Sequence, residues 1–176
     1  MIIWINGSFG VGKTTIAENL KDRITNSKIY DPEKVGMFLY KTLPEKKDDF
    51  QDYELWRTIN YEMLKELDKH NEVIIVPMTI TNLQYYKDIV GRLQRGGIKV
   101  LHFILTADKE NIISRLNARG NSTEWAYRQV DRCVTAFQNN SFECQRIDTN
   151  NKSIVEICNY LIKTINISVL ERRLNN

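Results

Sequence analysis

The sequence predicts an α/β fold in which a five-stranded parallel sheet carries helices on both faces. Three observations point there. Short apolar runs alternate with longer stretches of helical periodicity along the 176 residues. The runs are apolar nearly throughout, as strands covered on both faces are. Finally, Gly7-Ser8-Phe9-Gly10-Val11-Gly12-Lys13-Thr14 matches G-x-x-x-x-G-K-[ST], the phosphate-binding P-loop, between a run that reads as a strand and one that reads as a helix.

The first run, residues 1–6, is a buried strand, and a helix opens at Thr15 with Ile16, Ala17 and Leu20 on one face. Residues 28–31 form a short second strand, after which Pro32 occupies the first turn of a helix starting near Glu33. A charged connection, 44–52, leads to a helix marked by Tyr53, Trp56, Ile59, Met63, Leu64 and Leu67. Residues 72–77 are the third strand, ended by Pro77. The helix over 82–95 closes on Gly96-Gly97, and 99–105 is the fourth strand. Helices at 109–119 and 122–138 flank Gly120, with Asn121 and Glu124 spaced as a capping box. A fifth strand, 145–147, ends at Asp148, and Ser153 with Glu156 caps a closing helix. No repeat, low-complexity tract or linker divides the chain, so residues 1–176 are expected to form one domain.

A charged fraction of 27% and a formal charge of +3 are ordinary, and they give no reason to expect a nucleic-acid partner. Cys133, Cys144 and Cys158 with His70 and His102 offer no zinc spacing. An odd cysteine count, no leader-like N-terminal segment and no apolar run near the roughly 20 residues of a membrane helix predict a cytoplasmic protein. His102, inside an apolar strand, is read as a core residue.

The chemistry begins at the P-loop. Gly7, Ser8, Phe9, Gly10, Val11, Gly12, Lys13, Thr14 and Thr15 are the predicted ATP-binding segment. Its glycines let the backbone wrap an anion, and the helix N-terminus adds oriented N–H groups. Lys13 reaches the β- and γ-phosphates, and Thr14 ligates Mg²⁺. In open α/β sheets ligands lie beyond the carboxyl ends of the strands, which nominates Asp31, the Pro77-Met78-Thr79 turn and the Asp148-Thr149 turn. Asp31 is placed to accept a substrate proton or hold Mg²⁺ through water; the alternative is a cap for the helix after Pro32. Glu33 reads as a first-turn dipole partner. No acid follows the third strand, where many P-loop enzymes hold Mg²⁺ with an Asp.

Arg115 and Arg119 lie four apart on one helix, and Arg128 and Arg132 repeat that spacing on the next. Guanidinium groups so spaced suit a lid over a triphosphate, the alternative being a solvated face paired with Glu124 or Asp131. Between strands two and three, Arg57 and Asn60 stand beside aromatic residues as candidate acceptor contacts, Arg57 for an anionic group. Met78 and Thr79 join them on the acceptor side; Tyr53 and Trp56 have the spacing of core residues.

These stretches together resemble the tunicamycin-resistance ATP-binding proteins, a branch of the nucleoside- and nucleotide-kinase-like P-loop proteins. The matching segments are residues 1–7, the P-loop, Tyr30-Asp31-Pro32-Glu33-Lys34 with Gly36, and Asp48-Asp49-Phe50-Gln51. Leu55-Trp56-Arg57 with Asn60-Tyr61, residues 75–80, Gly91-Arg92-Leu93 and Asp131-Arg132-Cys133 also match. The resemblance implies a three-layer P-loop kinase-like fold, a helical lid near 115–132 and adenine contacts around Asp148-Thr149-Asn150. The missing acid after the third strand resembles the family's own pattern. The resemblance further implies resistance to tunicamycin, a uridine-containing, fatty-acylated nucleoside antibiotic, and membrane association through the C-terminal part. Here residues 165–174 have a modest apolar face, which allows weak peripheral attachment to a membrane.

The expected function is an ATP- and Mg²⁺-dependent phosphotransferase acting on a hydroxyl of a small molecule, a nucleoside antibiotic or a related nucleoside or sugar. Lys13, Arg119 and Arg128 neutralise the transferring phosphoryl group, Asp31 deprotonates the acceptor, and Arg115 and Thr149 hold the nucleotide. The rival is an ATP-binding protein that sequesters the antibiotic without chemistry.

Overall fold

Six consecutive buried residues make β1 (Ile2–Gly7) the centre of the sheet. It pairs in parallel with β3 (Val73–Pro77) on one side, Ile3 opposite Ile75, and with β4 (Val100–Thr106) on the other, Ile3 opposite Leu101. The outer strands, β2 (Ser27–Ile29) and β5 (Gln145–Asp148), complete an all-parallel sheet of order β2-β3-β1-β4-β5. The chain is described here from a computed structural model that covers residues 1–120, 123–139 and 141–174.

Two apolar layers clothe the sheet, and the alternation of β1 divides them. Ile3 and Ile5 face a layer built with Ile16, Leu20, Phe103, Ile157 and Leu161, which seats α1 (Lys13–Arg23) and α8 (Ile154–Leu174). Ile2 and Trp4 face the other, with Trp56, Leu64, Ile89, Leu93 and Phe137. That layer carries α2 (Pro32–Thr42), α3 (Glu54–His70) and α7 (Glu124–Asn139), as well as α4 (Leu83–Tyr86), a π turn (Lys87–Gly91) and α5 (Arg92–Arg95), which run together. The expected fold class is what the structure shows: a three-layer, kinase-like P-loop fold. α6 (Lys109–Ala118) lies over the P-loop, with Ile112 and Leu116 packed on Val130 of α7.

The helix ends follow the sequence closely. Gly97 takes φ +81° while Ile98 N–H donates to Leu93 O and Gly97 N–H to Gln94 O, both at 3.0 Å, which is the Schellman arrangement. The Ser153–Glu156 box forms reciprocally, with Ser153 N–H to Glu156 Oε2 at 2.8 Å and Glu156 N–H to Ser153 Oγ at 3.2 Å. The box expected from Asn121 lies outside the described residues; Thr123 Oγ1 accepts from Ala126 N–H at 3.3 Å at the start of α7. The second strand is shorter than expected, because Asp31 leaves it to cap α2. Gly36 in α2 has a packing reason: a Cβ there would lie 2.4 Å from Cγ of Phe50. Among the described residues no helix is long and apolar enough to cross a membrane.

Candidate active site

Strand β1 delivers the chain into the P-loop with backbone that only glycine adopts freely. Gly7, Gly10 and Gly12 have φ of +140°, +81° and +106°. Space forbids a side chain at two of them: a Cβ on Gly7 would lie 2.7 Å from Leu105 O, and one on Gly10 2.7 Å from Leu116 Cγ. Two buried side chains fasten the loop to the sheet. Asn6 Oδ1 accepts from Gly7 N–H and Ile80 N–H, each at 2.9 Å, and its amide donates to Ile80 O at 3.0 Å. Thr79 Oγ1 donates to Gly7 O at 2.8 Å.

At the start of α1 the first-turn N–H groups face the loop with no acidic side chain in that turn to satisfy them. The Lys13 ammonium folds onto the loop, donating to Gly7 O at 3.0 Å and Ser8 O at 2.9 Å. Burial holds its pKa down at about 8. Uncapped N–H groups at a helix N-terminus beside a desolvated cation form a receptor for phosphate.

The P-loop divides two clefts. On one side, about 280 Å³ opens between Gly10, Gly12, Thr15, Arg115, Thr149 and Ile154. Arg115 braces it: Nη1 donates to Thr149 Oγ1 at 2.9 Å and Nη2 to Thr149 O at 2.8 Å, and Nη1 lies 3.4 Å from Val11 O. On the other side, about 380 Å³ is enclosed by Phe9, Lys13, Thr14, Asp31, Glu33, Lys34 and Arg119 among others. Arg119 borders both clefts.

Asp31 performs the capping role and still borders the phosphate cleft. Its Oδ1 accepts from Glu33 N–H at 3.0 Å, and it borders the cleft together with Lys13 and Thr14. Glu33, read from sequence only as a dipole partner, shares that cleft. Crowding by the cleft walls raises its pKa, with the Asp31 charge adding to the rise and Lys13 opposing it. No group of three His, Cys, Asp or Glu side chains able to hold a metal is present among the described residues. The oxygen donors at the cleft, the Thr14 hydroxyl and the Asp31 and Glu33 carboxylates, fit a hydrated Mg²⁺ shared with phosphates.

Several expected contacts lie elsewhere. Arg128 is exposed and 3.7 Å from Glu124, one turn away on α7, so it does not border the phosphate cleft. Arg132 lies 3.9 Å from Asp49. Of the two arginine pairs, therefore, the structure brings only the α6 pair to the loop, because α6 packs Ile112 and Leu116 directly over Gly10. Arg57 is occupied, with Nε 3.0 Å from Asp88 Oδ2, Nη1 donating to Gln51 O at 2.6 Å and Cζ over the Tyr85 ring, 4.4 Å from its centroid. Asn60 is fully buried, accepting from Tyr30 Oη and donating to Trp56 O, both at 2.7 Å. Met78 is buried and packs in the core, and Thr79 serves the P-loop rather than an acceptor. Sequence reasoning passed over Asn6, whose signal was a lone amide ending an otherwise apolar strand. It also passed over Trp125, which meets Phe9 edge to face at 4.9 Å.

Comparison with known proteins agrees with this fold. The AAA domain family matches residues 3–147. A putative adenylate kinase from Methanocaldococcus jannaschii is 28% identical over 174 residues, 94% of this chain and 86% of that protein. The solved tunicamycin resistance protein of Deinococcus radiodurans superposes with a TM-score of 0.78 at 27% identity, covering 93% of this chain and 94% of that one. A gluconokinase from Sinorhizobium meliloti shares the fold at 13% identity, with a TM-score of 0.70 over 99% of this chain and 96% of its own.

Proposed function

Because this chain belongs to the AAA domain family, we propose that it is an ATP- and Mg²⁺-dependent small-molecule kinase that phosphorylates a hydroxyl of a nucleoside antibiotic such as tunicamycin. The observation that carries the reading is one cleft in which the P-loop residues Lys13 and Thr14 share walls with the carboxylate of Asp31. A carboxylate beside the phosphates and open space is what a phosphotransferase uses to take the proton of its acceptor hydroxyl. The likeness to a tunicamycin resistance protein supports the choice of acceptor.

In this reading the adenosine lies in the cleft braced by Arg115 and Thr149, and the triphosphate crosses the P-loop. Lys13 and the first-turn N–H groups of α1 hold the β- and γ-phosphates, and Arg119 spans the boundary between the clefts. Thr14, with help from Asp31, would hold Mg²⁺, which would supply positive charge against the phosphate oxygens. Asp31 accepts the proton of the acceptor hydroxyl as its oxygen bonds to the γ-phosphorus. The bond from that phosphorus to the β–γ bridging oxygen breaks, and its electron pair leaves with ADP. Mass spectrometry of tunicamycin incubated with the protein and Mg-ATP should show the gain of one phosphoryl group. Asp31→Asn should lower that rate by roughly 10²- to 10⁴-fold with ATP affinity little changed. An Asp31→Asn protein that forms product at the parent rate would remove Asp31 from the chemistry.

One observation favours sequestration instead: β3 ends on Pro77 and a buried Met78, with no acid there for the metal. Drug that stays bound and unmodified in the same incubation would select that reading.

A further inference from the structure

Next to the phosphate cleft is a second one, of about 310 Å³, for which the kinase reading has so far found no use. Its charged walls are Asp48, Asp49 and Asp52 before α3 and Arg132 on α7, and its aromatic walls are Tyr85 and Trp125. Trp125 separates the two clefts, since its ring meets Phe9 and Phe9 lines the phosphate cleft. Its lining includes Gln51, which is buried and donates through Nε2 to Thr79 O at 3.0 Å. Thr79 in turn holds Gly7, so two hydrogen bonds join the lining of the second cleft to the P-loop.

The balance of charge says what this cleft accepts. Three carboxylates stand against one guanidinium, and that guanidinium lies 3.9 Å from Asp49. Arg57, a nearby cation set over the Tyr85 ring of the lining, is held by Asp88 and the Gln51 carbonyl and is not available to an anion. Burial raises the Asp49 pKa, and Asp49 in turn adds to the negative field at Glu33 in the phosphate cleft. A phosphate ester brought here meets a lining of net negative charge. Hydroxyl groups do well here, because ionised carboxylates only accept hydrogen bonds and hydroxyls supply the protons. Tyr85 Oη already donates to Asp52 Oδ1 at 2.8 Å, as a substrate hydroxyl would. The Trp125 ring, 41% exposed, offers an apolar face to the C–H side of a ring.

We propose that this second cleft is the recognition subsite for the acceptor, that it takes an uncharged, hydroxyl-rich ring (the sugar of a nucleoside or a free sugar), and that it rejects phosphorylated compounds such as nucleoside monophosphates. The inference rests on the kinase reading of the neighbouring cleft, and the test separates the two. The full chain with Mg²⁺ and a non-hydrolysable ATP analogue is titrated calorimetrically with uridine against UMP, adenosine against AMP, and glucose against glucose 6-phosphate. At least one uncharged member is expected to bind about tenfold or more tighter than its phosphate ester. The nucleoside and glucose arms tell which source supplies the ring. Asp48→Asn combined with Asp52→Asn, which keeps Asp49 and its cap on the following turn, should narrow the gap to about threefold and leave affinity for the ATP analogue unchanged. Phosphate esters that bind as tightly as their partners in all three pairs, no uncharged member binding, or a gap that survives the double substitution overturns the proposal. Phosphorylation with Mg-ATP is followed in parallel. Discrimination without product refutes the kinase and keeps the subsite; product from AMP or UMP alone refutes the subsite and keeps the kinase.

Discussion

Acidification from about pH 7 to about pH 4.5 is expected to cost the fold about 2 kcal/mol through one buried side chain, His102. The ring is 5% exposed in β4 and stacks on Tyr86 with centroids 4.8 Å apart. Glu143 O, 3.2 Å from Nδ1, can only accept, so Nδ1 carries the proton and Nε2 is left to accept from the Asn6 amide at 3.3 Å. Burial is the main cause that lowers its pKa from 6.5 to about 4. Below 6.5 the unfolded chain takes up a proton that the folded chain refuses until about 4. The contribution is therefore complete above the upper value and is lost as the pH falls towards the lower one. Each pH unit inside that window is worth about 1.4 kcal/mol, and rounding at both ends leaves about 2 kcal/mol over the stated interval. Urea unfolding at several pH values would measure it, with His102→Gln as the reference that subtracts the carboxylates titrating in the same range. The parent should lose about 2 kcal/mol more than the variant over the interval. Equal losses would refute the buried neutral ring, and with it the assignment of Nε2 as the acceptor facing Asn6. A proton on Nε2 would set two donors against each other beside the residue that holds Gly7, so the same titration should loosen the P-loop before the fold fails.

Other outcomes follow from the loop itself. Lys13, with a pKa of about 8 in the free protein, must be protonated to hold phosphate. ATP binding should therefore take up a proton above that pH and weaken up to about tenfold per pH unit, read by calorimetry in buffers of different ionisation enthalpy. A binding constant that is flat across this range would mean that Lys13 is already charged. Gly10→Ala puts a methyl 2.7 Å from Leu116 Cγ at a φ of +81°; it should destabilise the fold by about 1–3 kcal/mol and abolish detectable nucleotide binding, seen by denaturation and titration together. Arg115→Ala should weaken ATP binding about tenfold and Arg128→Ala less than about twofold, and the reverse order would return α7 to the lid.

Where the signal was local, the sequence was a sound guide. The P-loop is a contiguous motif whose glycines and lysine act on one another, and the parallel sheet covered on both faces follows from alternation with buried runs, although the order of its strands does not. Asp31 was legible for the same reason as a cap beside Pro32, although the strand ends before it at Ile29, and so were both capping functions at 97 and 153. The misplaced residues share a different property. Asn60, Thr79 and Arg57 have the chemistry of ligand contacts, but their partners are Tyr30, Gly7 and Asp88, distant in the chain, and periodicity carries no record of such pairings. The two arginine pairs look equivalent along the chain. They differ because helix α6 is docked on Gly10 while α7 leaves Arg128 exposed beside Glu124, and no spacing rule supplies that difference.

The anchoring of the P-loop has a consequence for how such a protein can change. Asn6 and Thr79 secure the loop to the middle of the sheet, its most constrained part. Asp48, Asp52 and Tyr85 sit on peripheral segments and form no part of that anchorage. If the second cleft is the acceptor subsite proposed above, substitutions there alter what the molecule recognises while the P-loop and its anchors are inherited intact. The two halves are separable in evolution and in engineering, and a new specificity is best sought by varying the rim while holding Asn6, Thr79 and the glycines fixed.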